Sequence, residues 1–124
     1  ALAVVSKPAN IGIDIEKVRV VKFIKIAERF FNNEDLNRIY RAGSRRDQLR
    51  KFFEIWTIKE ACVKCIGTGM FKDVKNIRIK SARLAKIKIR SKQVSLRVAP
   101  LRKLPCGFIG HSAVQLKHST SKKS

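Results

Sequence analysis

The sequence predicts an α+β domain in which helices pack on a mostly antiparallel sheet. Three observations carry that class. Apolar residues recur at helical spacing between about residues 20 and 66, they alternate with polar ones from residue 75 onward, and a short alternating segment, Ile11-Gly12-Ile13-Asp14-Ile15-Glu16, stands ahead of both. At 124 residues the chain is one domain at most, and its 44% hydrophobic content argues against wholesale disorder. We place the domain at residues 1–116 and expect a basic, disordered tail over 117–124.

Each element has its own signal. As a strand, Ile11–Glu16 puts three isoleucines on one face and Gly12, Asp14 and Glu16 on the other. Phe23, Ile26, Ala27, Phe30 and Phe31 predict an amphipathic helix over about 20–31, with an aromatic stripe suited to a core. Asn33 can cap a second helix, with Glu34 and Asp35 in its first turn and Gly43 near its end. Ser44 to Lys51 reads as a polar, basic approach to a third helix, where Arg45, Arg46 and Arg50 are solvated surface or a docking patch for an acidic partner. In that third helix Leu49, Phe52, Phe53, Trp56, Glu60, Val63 and Lys64 share one face. Ile77/Ile79, Ile87/Ile89, Leu96/Val98 and Phe108 to Val114 then read as strands, with Lys86, Lys88, Arg90 and Arg97 on a solvated face or rim.

The acids are the chemically informative residues. Asp14 and Glu16 point the same way two residues apart, and like charges that close repel unless a cation lies between them. Oxygen-only ligands favour a hard ion such as Mg²⁺, which takes its remaining ligands from water and substrate phosphate. Glu60 and Lys64 extend an apolar helical stripe, where an unpaired ion is costly, so each is paired or does chemistry. The plainer alternative is an ordinary i, i+4 helix pair.

Charge and cysteines bound the partners. Twenty-nine Lys and Arg against 9 Asp and Glu give a formal charge of +20, which calls for anionic partners. Nucleic acid is one such class; it is disfavoured because the basic residues are spread out and no zinc-finger, homeodomain or RNP-type motif occurs. Three cysteines cannot all pair within the chain, and no signal peptide or spanning helix is evident, so the expected compartment is the cytosol, without membrane attachment. Cys62 and Cys65 spell C-x-x-C, and with Cys106 and His111 a zinc site is conceivable. Buried or idle thiols suit the helical pattern better. His111 and His118 lie far in sequence from the acids, and no Ser/His/Asp order is evident.

Gly12-Ile13-Asp14-Ile15-Glu16 followed, some forty residues on, by Trp56-Thr57-Ile58-Lys59-Glu60-Ala61-Cys62-Val63-Lys64 resembles the signature G-I-D-x-E … W-[ST]-x-K-E-x-x-x-K of 4′-phosphopantetheinyl transferases. The resemblance covers roughly residues 1–70. Ala1 to Val5, running through Pro8, is similar to the preceding strand of the surfactin-synthetase-activating type, and Gly67-Thr68-Gly69 is also family-like. It implies a half-domain of that family's fold and transfer of phosphopantetheine from coenzyme A to a serine of an acyl or peptidyl carrier protein, releasing adenosine 3′,5′-bisphosphate. By the same resemblance, Asp14, Glu16 and Glu60 would hold Mg²⁺ on the coenzyme A diphosphate, Lys64 would contact phosphate with Lys59 close by, and Glu60 or a water it shares would accept the serine proton.

Surfactin-type enzymes have two similar halves, and the resemblance here is to the second. The expected object is therefore a truncated or partial protein of that type, with the short holo-acyl-carrier-protein synthases as the second choice. A lone half should expose an apolar face, which predicts homo-oligomerisation or pairing with a missing N-terminal half. An inactive fragment is the further alternative.

Overall fold

The computed structural model describes residues 10–67 and 74–116, which form three helices on one face of a five-stranded antiparallel sheet. The expected strand over Ala1–Val5, Thr68 and Gly69 of the Gly-Thr-Gly segment, and the expected tail, with His118, lie outside the described residues. In chain order the elements are β1 (Ile11–Lys17), α1 (Phe23–Phe30), α2 (Asn33–Tyr40), α3 (Arg45–Ile66), a short 3-10 turn (Val74–Asn76), β2 (Arg78–Ser81), β3 (Leu84–Ile89), β4 (Lys92–Pro100) and β5 (Phe108–Gln115). The strand order is β1-β5-β4-β3-β2, so the first and last strands pair, with Asp14 opposite His111 and Glu16 opposite Ile109.

Local chemistry explains the helix starts. The side chain of Asn32, not Asn33, caps α2: its Oδ1 accepts from Asp35 N (2.9 Å), and Asp35 Oδ2 accepts from Asn32 N (3.1 Å), a reciprocal capping box. Ser44 Oγ accepts from Asp47 N (3.1 Å), so the basic stretch expected to approach the third helix is instead its first two turns. Gly67 ends α3 in the left-handed region at φ 73°, its N–H donating to Val63 O.

Phe52 is the hub of the aromatic stripe, with ring centroids of Phe53, Phe31, Trp56 and Phe23 5.1 to 6.0 Å away. These rings are core. The four phenylalanines join Ile55, Ile58, Ile77, Ile87, Leu96 and Val98 in one buried cluster between the helices and the sheet, with Trp56 packed against it. On β1 the faces fall as the alternation predicts, but the acid-bearing face is the one packed under α3. Ile11 and Ile13 are half-buried and Ile15 is 43% exposed on the opposite face of the sheet.

Gly12 fixes how closely β1 and α3 approach. A Cβ at that position would overlap the Ala61 carbonyl oxygen and the Cys65 amide, so only glycine admits the helix backbone at this distance. Cys65 Sγ adds a contact to Asn10 O (3.1 Å). That approach brings the last two turns of α3 over the carboxylates of β1.

Candidate active site

Asp14 is 5% exposed, and Lys64 Nζ donates to its Oδ1 at 2.8 Å, joining strand and helix across 50 residues of sequence. Its other oxygen, Oδ2, is buried with no hydrogen-bond partner. A buried carboxylate oxygen left bare is costly, and a site for a further cation or donor is the physical remedy.

Glu60 lies one turn before Lys64 and is half-buried. Burial pushes its pKa above the usual carboxylate value, the charges of Asp14 and Glu16 add to that rise, and Lys64 opposes it. Lys64 itself is pushed up, first by its hydrogen bond to Asp14 and further by the charges of Asp14, Glu60 and Glu16, against a lowering by partial burial. Asp14, Glu16, Glu60 and Lys64 therefore share one electrostatic neighbourhood. Glu16 is the outer member, its Oε1 3.5 Å from Arg19 Nη1.

Among the described residues no three His, Cys, Asp or Glu side chains converge closely enough to hold a metal ion. The donor set nonetheless suits a hard cation, because all three carboxylates are oxygen donors and Asp14 keeps a bare oxygen. In this arrangement the Lys64 ammonium supplies the positive charge beside Asp14.

Comparison with known proteins decides the family: residues 10–109 match the model of the 4′-phosphopantetheinyl transferase superfamily. The chain belongs to that superfamily. It is 43% identical over 61 residues to the 4′-phosphopantetheinyl transferase gsp of Aneurinibacillus migulanus and 35% identical over 60 residues to Sfp of Bacillus subtilis. Those matches take in 49% and 48% of this chain but only 25% and 26% of the relatives. In fold it is similar to the holo-[acyl-carrier-protein] synthase of Neisseria meningitidis, with a TM-score of 0.50 over 87% of this chain and 98% of that one, at 15% identity. The sequence relatives are thus of the surfactin type, while a chain of the short branch matches the fold along almost its whole length.

The geometry corrects one expectation from the transferase signature. Lys59 does not stand beside Lys64; it is 1% exposed, ion-paired with the fully buried Asp35, and donates to Val74 O (3.0 Å) and Ile77 O (2.8 Å). Its three protons meet three acceptors, so it pins α3 to α2 and to the turn before β2 and has no free donor for a phosphate. Burial lowers its pKa, with Asp35 acting against that shift.

The structure also adds a residue. His111 is 7% exposed and sits directly across the sheet from Asp14, although 97 positions separate them in the chain. Its Nδ1 lies 2.8 Å from Thr57 Oγ1, and that hydroxyl also contacts Phe53 O (2.9 Å) and Glu54 O (3.0 Å). Both carbonyls can only accept, so when the single Thr57 hydroxyl proton is directed to them, the Nδ1–H tautomer of His111 donates to Oγ1. Burial lowers the His111 pKa, with the charges of Glu54 and Asp14 opposing. The signature's threonine is thereby tied to β5. As for the thiols, Cys62 and Cys65 are buried within α3, the first pushed up to about 12 by burial, whereas Cys106 is exposed.

Proposed function

We propose that this chain supplies the catalytic residues for transfer of 4′-phosphopantetheine from coenzyme A to a serine hydroxyl of an acyl or peptidyl carrier protein. The serine oxygen forms a bond to the phosphorus that carries the pantetheine, and the bond from that phosphorus to the bridging oxygen breaks. Adenosine 3′,5′-bisphosphate leaves with the electron pair. One observation carries the reading: a half-buried carboxylate with a raised pKa, Glu60, lies in the same field as a lysine anchored on a buried aspartate.

The chain's own groups divide the work. Glu60 is the proton acceptor for the serine, since burial and neighbouring acids raise its affinity for a proton. Asp14 holds the Lys64 ammonium through one N–H, and because that side chain is 52% exposed its remaining N–H donors can meet phosphate oxygens. Asp14, Glu16 and Glu60 would hold Mg²⁺. When bound, that ion neutralises diphosphate charge.

Free thiols fit a cytosolic protein, and no helix among the described residues is long and apolar enough to cross a membrane. The half-open isoleucine face of β1 supports pairing with a second half or a second copy. A second reading, that the chain carries an incomplete site, is favoured by one feature: the three carboxylates do not converge on a common point. Activity of the purified chain with coenzyme A, Mg²⁺ and an apo carrier protein separates the two readings.

A further inference from the structure

All nine acids of the chain lie at or before Asp73, and residues 74–124 carry 14 Lys and Arg with no Asp or Glu. In sequence these cations look evenly spread, but the sheet gathers a subset of them. Arg78 on β2 stands directly opposite Lys86 on β3, and Lys88 follows on the same face. Like charges placed opposite one another across two strands repel. No carboxylate pairs with Arg78, Lys86 or Lys88 among the described residues.

These three cations line one cavity of about 420 Å³, together with Asn76, Ser91 and Gln93. Its walls hold three positive charges, a hydroxyl and two amides, with no acid and no aromatic ring. Glu34 lines the neighbouring hollow, not this one. The hairpin that closes the cavity turns at Arg90 and Ser91, both in the left-handed region at φ 50° and 71°, where a two-residue turn of this kind ordinarily takes Asn-Gly. A strained turn thus holds the Ser91 side chain at the cavity wall.

We propose that this cavity is a second anion site, separate from the Asp14–Glu60–Lys64 site, that takes the oligophosphate group of a small phosphorylated ligand. Three cations match a charge of about −3, which a single carboxylate does not carry and a di- or triphosphate does. With no ring to stack on a base, recognition falls on the phosphates alone. The site is three to four strands from β1, about 14–19 Å at ~4.8 Å per strand, so a ligand bound here leaves Glu60 open.

The test is calorimetric titration of the full chain with sodium tripolyphosphate, ATP and sodium sulfate at matched ionic strength. The expected result is that tripolyphosphate and ATP bind within about threefold of one another and sulfate at least tenfold more weakly. Lys86→Gln/Lys88→Gln should lose at least tenfold for tripolyphosphate, as should Arg78→Gln, a second and independent variant. Lys25→Gln/Arg41→Gln, an equal charge loss on α1 and at the C-cap of α2, should lose less than twofold. Equal losses in the sheet and helix variants, or sulfate binding as tightly as tripolyphosphate, would mean diffuse attraction to a +20 chain and overturn the site. A 20-nucleotide RNA bound at least tenfold more tightly than tripolyphosphate through the same residues would overturn the small-ligand assignment in favour of a strand.

Discussion

Replacing Lys59 by methionine removes the ammonium and keeps most of the side-chain volume in a site that is 1% exposed. Ile77 O would still receive Asn32 Nδ2 (3.3 Å) and Val74 O would still receive Ile77 N (3.1 Å), so neither carbonyl is stranded. The loss falls on Asp35, which is fully buried: it would keep on Oδ2 only the Asn32 N–H of the capping box, and as counter-charge only Arg38, whose Nη1 lies 3.6 Å from Oδ1 without hydrogen-bonding it. Removing one partner of such a pair costs about 3–5 kcal/mol, a third or more of the stability of many domains of this size. At roughly 4 °C per kcal/mol, Tm should fall by about 12–20 °C. Lys59→Met/Asp35→Asn, which removes the stranded charge and keeps a cap acceptor, should recover at least half of that loss. Guanidinium unfolding of wild type, the single variants and the double variant gives the cycle. If Lys59→Met unfolds at the wild-type midpoint while KM for coenzyme A rises, Lys59 is a substrate contact and the structural assignment is wrong.

Gly12→Ala should destabilise the domain by about 3 kcal/mol or more, read as a shifted urea midpoint, because the added methyl meets helix backbone that cannot step aside. The raised Glu60 pKa means that the folded state holds its proton more tightly than the unfolded state. Its stability contribution is therefore present below about pH 4.5 and lost as pH rises through the folded value, so Glu60→Gln should gain on wild type across that window in paired denaturation series. His111 has the opposite sign: its lowered pKa contributes stability above about pH 6.5 that is lost as pH falls through the folded value, a loss that His111→Gln should lack. Imidazole ¹⁵N spectra should show Nδ1 protonated and Nε2 bare at neutral pH, and Thr57→Val should abolish that preference. Mg²⁺ at ten times its Kd should stabilise wild type by about 1.4 kcal/mol and leave Asp14→Asn nearly unchanged, by thermal shift.

Much of the fold is legible because most elements bury one face. The period-two runs from Ile77 to Val114 became four strands, and the aromatic rhythm around Phe23 and Phe52 became core. Asn32 and Asn33 could both cap, and only the reciprocal bond with Asp35 chooses between them. Ser44 to Lys51 hid a helix start because α3 begins on an exposed, charged turn before its apolar stripe sets in. Of the signature residues, Glu60 and Lys64 share a helix face by local spacing, whereas their meeting with Asp14 rests on β1 packing under α3, which the family resemblance implied and no local rule encodes. Lys59 could not be read, since its partner Asp35 lies on another helix and its carbonyl acceptors follow α3. His111 was hidden for the same reason: its place beside Asp14 depends on the first and last strands being neighbours, which no local pattern encodes.

Intact-protein mass spectrometry of an apo carrier protein incubated with this chain, coenzyme A and Mg²⁺ tests the proposed chemistry most directly. A phosphopantetheine adduct should form on the carrier serine, and Glu60→Gln, folded by circular dichroism, should fail to make it. An equal yield of adduct with Glu60→Gln, or no adduct from folded wild type with several carriers, would contradict that chemistry.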